Sequence, residues 1–422
     1  MRAASARSRL AAALAIAFLG LWTAAAQSTQ SSDRLKLNFE IRGRMDGFRN
    51  AKAMDGTDQA FYLHRVRLTS TMRFTPWLRA TAQFQDSRVA GYPLNPAPAT
   101  VSNSADLRQA YLELGGGETG WNLRAGRQPL VFGDMRLVST SNWGNVGPNY
   151  DGARLAFRTA RVQMDWFSTA VVTPRPGFDR PRGERKLHGF YSSFRPGRGV
   201  SAADFYLFWK DNQRGANLAG QVGTHDLGIA GARLTGKLAA QWDYNMELAL
   251  QRGRLSGDRI AAWAGHWETG YTAGVPRLSF EYDYATGDDD PGDGRHRSFD
   301  QPYATNVYGT ATDFGWRNIH QISTCAAWSP KSAWKMRTCY RSFWLATTRD
   351  SLYTVTGAVF LRNPQATDAH VGDEADVRVI WQLTRQLQLW GGYAHLVPGG
   401  FLRESGRRSA VLYPYVMWTL TL

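Results

Sequence analysis

Arg277-Leu278-Ser279-Phe280-Glu281-Tyr282-Asp283-Tyr284-Ala285-Thr286-Gly287-Asp288-Asp289-Asp290-Pro291-Gly292-Asp293-Gly294 is the stretch that decides how this chain is read. Arg277, Ser279, Glu281 and Asp283 alternate with Leu278, Phe280, Tyr282 and Tyr284. Such a period of two is a β-strand, because successive side chains point to opposite faces. One face is aromatic and the other carries charges of both signs. In a soluble sandwich the aromatic face would line a core. In a membrane barrel it meets lipid, and the charged face lines a wet lumen. The strand runs directly into an acidic loop that is broken by glycine and proline and reaches Gly315-Trp316.

The same alternation recurs along the chain, and short turns alternate with long loops. Strands are predicted over 34–45, 61–74, 78–88, 107–115, 122–130, 152–159, 162–173, 185–195 and 203–209. They continue over 225–235, 238–251, 260–271, 277–285, 318–328, 334–347, 371–383, 387–396 and 411–422, about eighteen in all. Tight turns such as Thr75-Pro76-Trp77, Ala160-Arg161 and Gly236-Lys237 join them in pairs, and long loops such as 89–105, 131–151, 286–317 and 348–370 join the pairs. A propeller would repeat with a period of about 40–50 residues, and no such repeat is seen. The expected fold is therefore all-β, a transmembrane antiparallel barrel of about eighteen strands with short periplasmic turns and long extracellular loops.

Composition agrees. The 422 residues are 43% hydrophobic and 13% aromatic, with 42 Gly, and mean hydropathy is −0.40. A barrel hides its apolar surface in alternation, so a polar average beside rich aromatics is what it should show. Arg2, Arg7 and Arg9 precede the apolar run 10–22 and then Thr23-Ala24-Ala25-Ala26, which reads as a signal peptide over 1–26. A retained transmembrane helix needs about twenty apolar residues and does not find them. Residues 27–422 are read as a single barrel domain in the bacterial outer membrane. The formal net charge is +15, and removing those three arginines leaves +12. Seven of the 50 basic residues are Lys, so 43 are Arg, a bias toward forked donors for carboxylate or phosphate. The export signal and the even spread of Arg count against a nucleic-acid partner.

The stretch from Ser279 to Pro291, with Phe299-Asp300, Tyr303, Tyr308-Gly309, Asp313 and Trp316-Arg317-Asn318-Ile319, resembles the alginate export family of outer-membrane barrels. Gly372-Asp373-Glu374-Ala375-Asp376-Val377 and Gly391-Gly392-Tyr393 with Val397-Pro398-Gly399-Gly400-Phe401 fit the same family. Leu107-Arg108-Gln109-Ala110-Tyr111 and Gly126-Arg127-Gln128-Pro129-Leu130 with Trp143 fit too. The resemblance implies an eighteen-stranded monomer whose arginine-lined, electropositive pore passes a polyanionic uronate polysaccharide outward. The last residue, Leu422, departs from the usual terminal Phe of outer-membrane strands, although Trp418, Leu420 and Leu422 keep the apolar row.

In this register the inward-facing bases are Arg42, Arg44, Arg65, Arg67, Arg124, Arg154, Arg158, Arg233, Arg277, Arg337, Arg341 and Arg378. Rings of Arg favour anions, and a guanidinium forks onto carboxylates. The plainer reading is that these residues pair with lumen acids and brace the wall. The candidate acids are Glu40, Glu113, Asp243, Glu247, Glu281, Asp283, Glu374 and Asp376. Asp288, Asp289, Asp290 and Asp293 offer oxygens to a hard cation such as calcium. Their spacing is not that of an EF-hand, and a solvated acidic loop explains them as well. No other cofactor is expected. The sequence shows no HExxH, no P-loop and no compact Ser-His-Asp group, so a barrel-borne hydrolase or acyltransferase has no positive support. An uptake porin for small anions is the milder alternative. Expected partners are an anionic polysaccharide or oligosaccharide, outer-membrane lipid and lipopolysaccharide, and periplasmic export components.

The chain has two cysteines, Cys325 and Cys339. Pairing positions whose numbers sum to 664 centres their hairpin on Ser332 and sets the two directly opposite, facing the lumen. Cross-strand Cβ atoms lie about 4.5–5.5 Å apart and a disulfide needs about 3.5–4.5 Å, so an exported hairpin can close one.

Overall fold

The computed structural model describes residues 34–115, 117–175, 178–197, 199–305 and 308–422. The signal-peptide segment 1–26 lies outside the described residues. The strands are β1 (Leu35–Phe48), β2 (Gln59–Thr75), β3 (Leu78–Ala90), β4 (Asn103–Leu114), β5 (Gly120–Gln128), β6 (Asn149–Arg158) and β7 (Val162–Thr173). There follow β8 (Arg180–Phe194), β9 (Val200–Ala216), β10 (Val222–Lys237), β11 (Trp242–Leu255), β12 (Asp258–Thr272) and β13 (Arg277–Ala285). After β14 (Arg295–His296) come β15 (Ile319–Trp328), β16 (Trp334–Leu345), β17 (Ser351–Tyr353), β18 (Val359–Arg362), β19 (His370–Gln382), β20 (Leu387–Pro398) and β21 (Val411–Thr421).

The short β14, β17 and β18 sit in loops, and the other eighteen pair antiparallel with their neighbours in sequence order. β1 pairs with β21, with Arg42 opposite Thr419, and this closes the barrel and leaves no edge. One parity of each strand carries the exposed large side chains, among them Leu112, Phe205, Leu207, Trp209, Leu248, Leu250 and Phe280. The other parity is buried and largely polar, as with Asp204, Glu247, Gln251, Glu281 and Asp283. This apolar-out, polar-in order is the reverse of a soluble domain's and fits a lipid environment. Aromatic pairs mark both ends of the apolar band. Trp121–Phe157, Trp242–Tyr271 and Trp334–Trp381 lie toward the short turns, and Trp263–Tyr284 lies toward the loops.

The observed strands differ from expectation mainly where they rise past the lipid. β9 and β10 continue to Ala216 and from Val222, where a loop over 210–224 is predicted. β11 is shifted four residues toward the C-terminus, and only Ser256 (φ 50°) and Gly257 (φ 97°) join it to β12. Above the membrane one face no longer needs apolar side chains, so alternation fades while the backbone ladder goes on. β8 likewise begins at Arg180, inside the predicted loop 174–184.

Cys325 and Cys339 are Cα partners across β15 and β16, and their sulfurs are joined. Both are buried on the inward face, and the bond closes a separation of 14 residues in a hairpin already fixed by its ladder. Alkylation of unreduced, denatured protein is expected to label neither cysteine in mass spectra, and labelling of both would remove the bond.

Candidate functional site: the constricted lumen

Two loops fold into the barrel and meet there. The first, residues 129–148, is strapped to opposite walls. On the β1–β2 wall, Arg42 donates to the carbonyls of Asn142 and Gly144 (3.0 Å to the latter). Arg44 donates to the Trp143 carbonyl at 2.6 Å, and Arg65 to those of Asn142 and Gly144 at 3.3 and 3.1 Å. Arg67 donates to the Asn142 side chain at 2.7 Å. These four arginines are 2–6% exposed and give most of their donors to the loop. A guanidinium has five donors to satisfy when buried, and a loop's free carbonyls can take them.

On the far wall, Arg136 of the same loop donates to Glu281 Oε1 at 2.9 Å and Asp283 Oδ1 at 3.2 Å, and meets His266 Nε2 at 3.3 Å. Burial alone would lower the pKa of Arg136. Asp283 and Glu281 outweigh burial and hold it above its usual range. Among the described residues, His266, Glu281 and Asp283 are the one group disposed to ligate a metal, and the Arg136 guanidinium already supplies their cation. Between these walls Phe132, Leu137 and Val138 pack with the inward-facing Phe167, Tyr191, Tyr206 and Phe208. The lumen wall of β7–β9 facing this loop is therefore lined by aromatic rings, with Asp165, Asp204 and Lys210 above and below them on the same inward parity.

The second loop, residues 286–318, lies against the first. Tyr303 exchanges backbone hydrogen bonds with Leu137 and Ser139 at 2.9 and 2.8 Å, and Gln301 donates to the Arg136 carbonyl at 2.9 Å. Lys210 binds Asp300, whose carboxyl burial would raise; Lys210 and Arg317 outweigh burial and depress it. Glu374 accepts the backbone N–H of Thr310 at 2.6 Å. In the acidic run, Arg297 reaches Asp293 at 2.5 Å and Asp289 at 3.3 Å, so a guanidinium sits among these carboxylates.

The remaining predicted bases divide sharply. Arg124 pairs with Glu113 at 2.6 Å, Arg154 with Asp165 at 2.8 Å, and Arg158 with the same Asp165 at 3.6 Å. Arg233 bridges Asp134 and Asp204, Arg277 bridges Asp243 and Glu268, and Arg341 holds Asp376. Glu40 forks with Arg65 at 3.1 and 2.8 Å. Glu247 accepts instead from Tyr206, at 2.8 Å. Arg337 and Arg378 form no ion pair among the described residues.

Below the constriction is a cavity of about 280 Å3 whose charged lining is Arg67, Arg108 and Glu40. Sequence alternation hides Arg108, because Gln109 beside it already occupies the inward parity. A register shift between Gln83 and Phe84 pairs these with Gln109 and Leu107, and the extra residue, Arg108, turns inward to donate to Gln83 at 2.9 Å. Buried Arg67 Nη2 and Arg108 Nε have no hydrogen-bond partner. The structure also gathers a group the sequence did not suggest. Ser342 on β16 and His370 and Asp373 on β19 meet on the outward face. Ser342 donates to Asp373 at 2.5 Å, while His370 approaches both through Nε2, at 3.3 and 3.4 Å. The imidazole does not lie between nucleophile and carboxylate, as a proton relay requires.

A closed barrel with aromatic belts and loops folded into its lumen is an outer-membrane channel. Residues 33–413 match the alginate export family, and the chain belongs to it. No curated protein matches it by sequence. Among solved structures it is similar to OccAB1 of Acinetobacter baumannii, with 10% identity, TM-score 0.62 and coverage of 93% of this chain and 99% of that one. OccAB4 of the same organism gives 11% identity and TM-score 0.61 over 93% and 100%. Pseudomonas aeruginosa OpdK, solved with vanillate, gives 10% identity and TM-score 0.60 over 92% and 98%. At such identities the likeness is one of fold.

Proposed function

We propose that this channel passes an anionic, uronate-type saccharide, alginate-like polymer or its oligomers, along a guanidinium-lined path, and that it works as a monomer. The observation that carries this is the cavity under the constriction. Arg67 and Arg108 line it and Arg42 and Arg65 back it, while Glu40 is its only carboxylate. Burying a guanidinium without a counter-charge is costly, so such a surplus favours a mobile anion that completes it. A second reading, an uptake porin for small anions, draws on the two loops that narrow the lumen and on the fold shared with OpdK, whose reported ligand is a carboxylate. Periplasmic export components fit the first reading and not the second.

Planar-bilayer recording separates them. Oligo-uronates are expected to block single channels, neutral oligosaccharides of equal length are not, and the reversal potential should favour chloride over potassium. Arg108→Gln removes one charge-assisted contact, a loss of about 1.5–3 kcal/mol, so uronate residence should fall about tenfold or more. Permeation by small monocarboxylates without block by uronate oligomers would favour the uptake reading.

A further inference from the structure

Arg337 and Arg378 are Cα partners across β16 and β19, on the inward face near the short-turn end. Like charges placed directly opposite destabilise a sheet. Nearby arginines avoid that cost by taking carboxylates, as Arg341 takes Asp376. These two have no carboxylate within ion-pair distance among the described residues. Arg337 reaches only Cys325 Sγ, at 3.3 Å, and Arg378 lies over the Trp390 ring at 5.6 Å. Both arginines and Trp390 are half-buried, so they face the lumen without being sealed in.

Trp390 is one side of an aromatic wedge. The indole of Trp143, at the tip of the first inward loop, lies 6.3 Å from it and is tilted by 43°. Trp143 is held there by Arg44, 4.3 Å above its ring, and by an edge contact to Tyr415 at 5.1 Å. The tip of the constriction therefore presents an aromatic surface beside two forked cations that lack an anion.

We infer that Arg337, Arg378 and Trp390 form a subsite for one uronosyl residue at the periplasmic face of the constriction, with the carboxylate bridging both guanidiniums and the apolar face of the pyranose against the indole. The carboxylate relieves the repulsion between the two arginines and accepts forked hydrogen bonds from them. The indole supplies what a bare anion site lacks, a preference for a ring with an apolar face. This inference rests on the uronate reading above and narrows it to one place and one pair of contacts.

The test is residence time in single-channel recordings of the full chain, with tri-uronate, a neutral trisaccharide and succinate added from the short-turn side. Heat-modifiable gel mobility serves as the check of folding. Arg337→Gln with Arg378→Gln should shorten tri-uronate and succinate residence alike, by about tenfold or more. Trp390→Leu should shorten tri-uronate residence about fivefold and change succinate much less, and Trp390→Phe should fall between wild type and Leu. If the Leu variant does not fold, the graded loss in the Phe variant still decides. Equal residence in wild type, arginine and tryptophan variants overturns the subsite while uronate block itself survives. A tryptophan effect equal for uronate and succinate overturns the role of the ring. Absence of uronate block in wild type takes down the uronate reading and this subsite with it.

Discussion

Replacing Arg136 by Met is expected to destabilise the first inward loop more than any other single change in the lumen. Its side chain is 6% exposed, and among the described residues it is the only arginine or lysine within ion-pair distance of Glu281 and Asp283. Breaking a buried pair by removing one partner costs about 3–5 kcal/mol, because the other charge stays buried and uncompensated. Here two carboxylates would be left, with Asp283 bonded at 2.8 Å to His266 Nδ1 and Glu281 at 3.2 Å to Ser323. The barrel itself rests on a closed ladder of eighteen strands, so the cost should fall on the loop rather than on the wall. Single channels of Arg136→Met should show higher mean conductance and new open-state noise.

Adding Glu281→Gln and Asp283→Asn to Arg136→Met separates charge from shape. The stranded charges vanish while the loop still lacks its anchor, so thermal stability should recover and the noise should persist. Zinc offers a further check on Arg136→Met alone. His266, Glu281 and Asp283 offer ligand atoms within 4.8 Å of one another, and the site is vacated by the substitution. Micromolar zinc should quieten the variant and leave wild type unaffected. Unchanged conductance and noise in Arg136→Met would mean that this contact does not hold the loop.

Much of the fold was legible because lipid and water impose opposite demands on alternate side chains. Residues 277–285 show this directly, and the same rule sets the cysteine hairpin in register, Cys325 opposite Cys339. The lumen's contents were not legible. Arg42 meets Gly144 across 102 positions, and Arg136 meets Glu281 across 145. Local periodicity can say that Arg42 faces inward but not that a loop carbonyl awaits it. Where both faces are apolar or aromatic, as with Phe205, Leu207 and Trp209 outward and Tyr206 and Phe208 inward, alternation does not show which face is wet. Arg108 was invisible for a third reason, since one inserted residue reverses facing within a strand. So Arg124 and Arg154 brace against acids only 11 positions away on the neighbouring strand, while the loop carbonyls that take Arg42 are set by contacts distant in sequence.

Phe280→Arg should be the most damaging change on the outer surface. Phe280 is 49% exposed and lies opposite Thr269 on β12 and Thr324 on β15, within the apolar band. An arginine facing lipid near the midplane costs about 2–4 kcal/mol, and the long side chain has the full half-thickness of the bilayer to cross before it finds water. Ser279 is one residue away and faces inward between Cys325 and Gly270, where the Arg277 guanidinium already lies over the glycine. Ser279→Arg should therefore assemble far better, since a new guanidinium there can reach water and the acids of β11 and β12. The measurement is the folded fraction after dilution from urea into lipid vesicles, read by gel mobility before and after heating. A folded fraction lowered for Phe280→Arg and near wild type for Ser279→Arg is expected. Equal losses would mean that the two faces of β13 do not differ in solvent, and a loss confined to Ser279→Arg would place lipid on the side where Glu281 and Asp283 are buried.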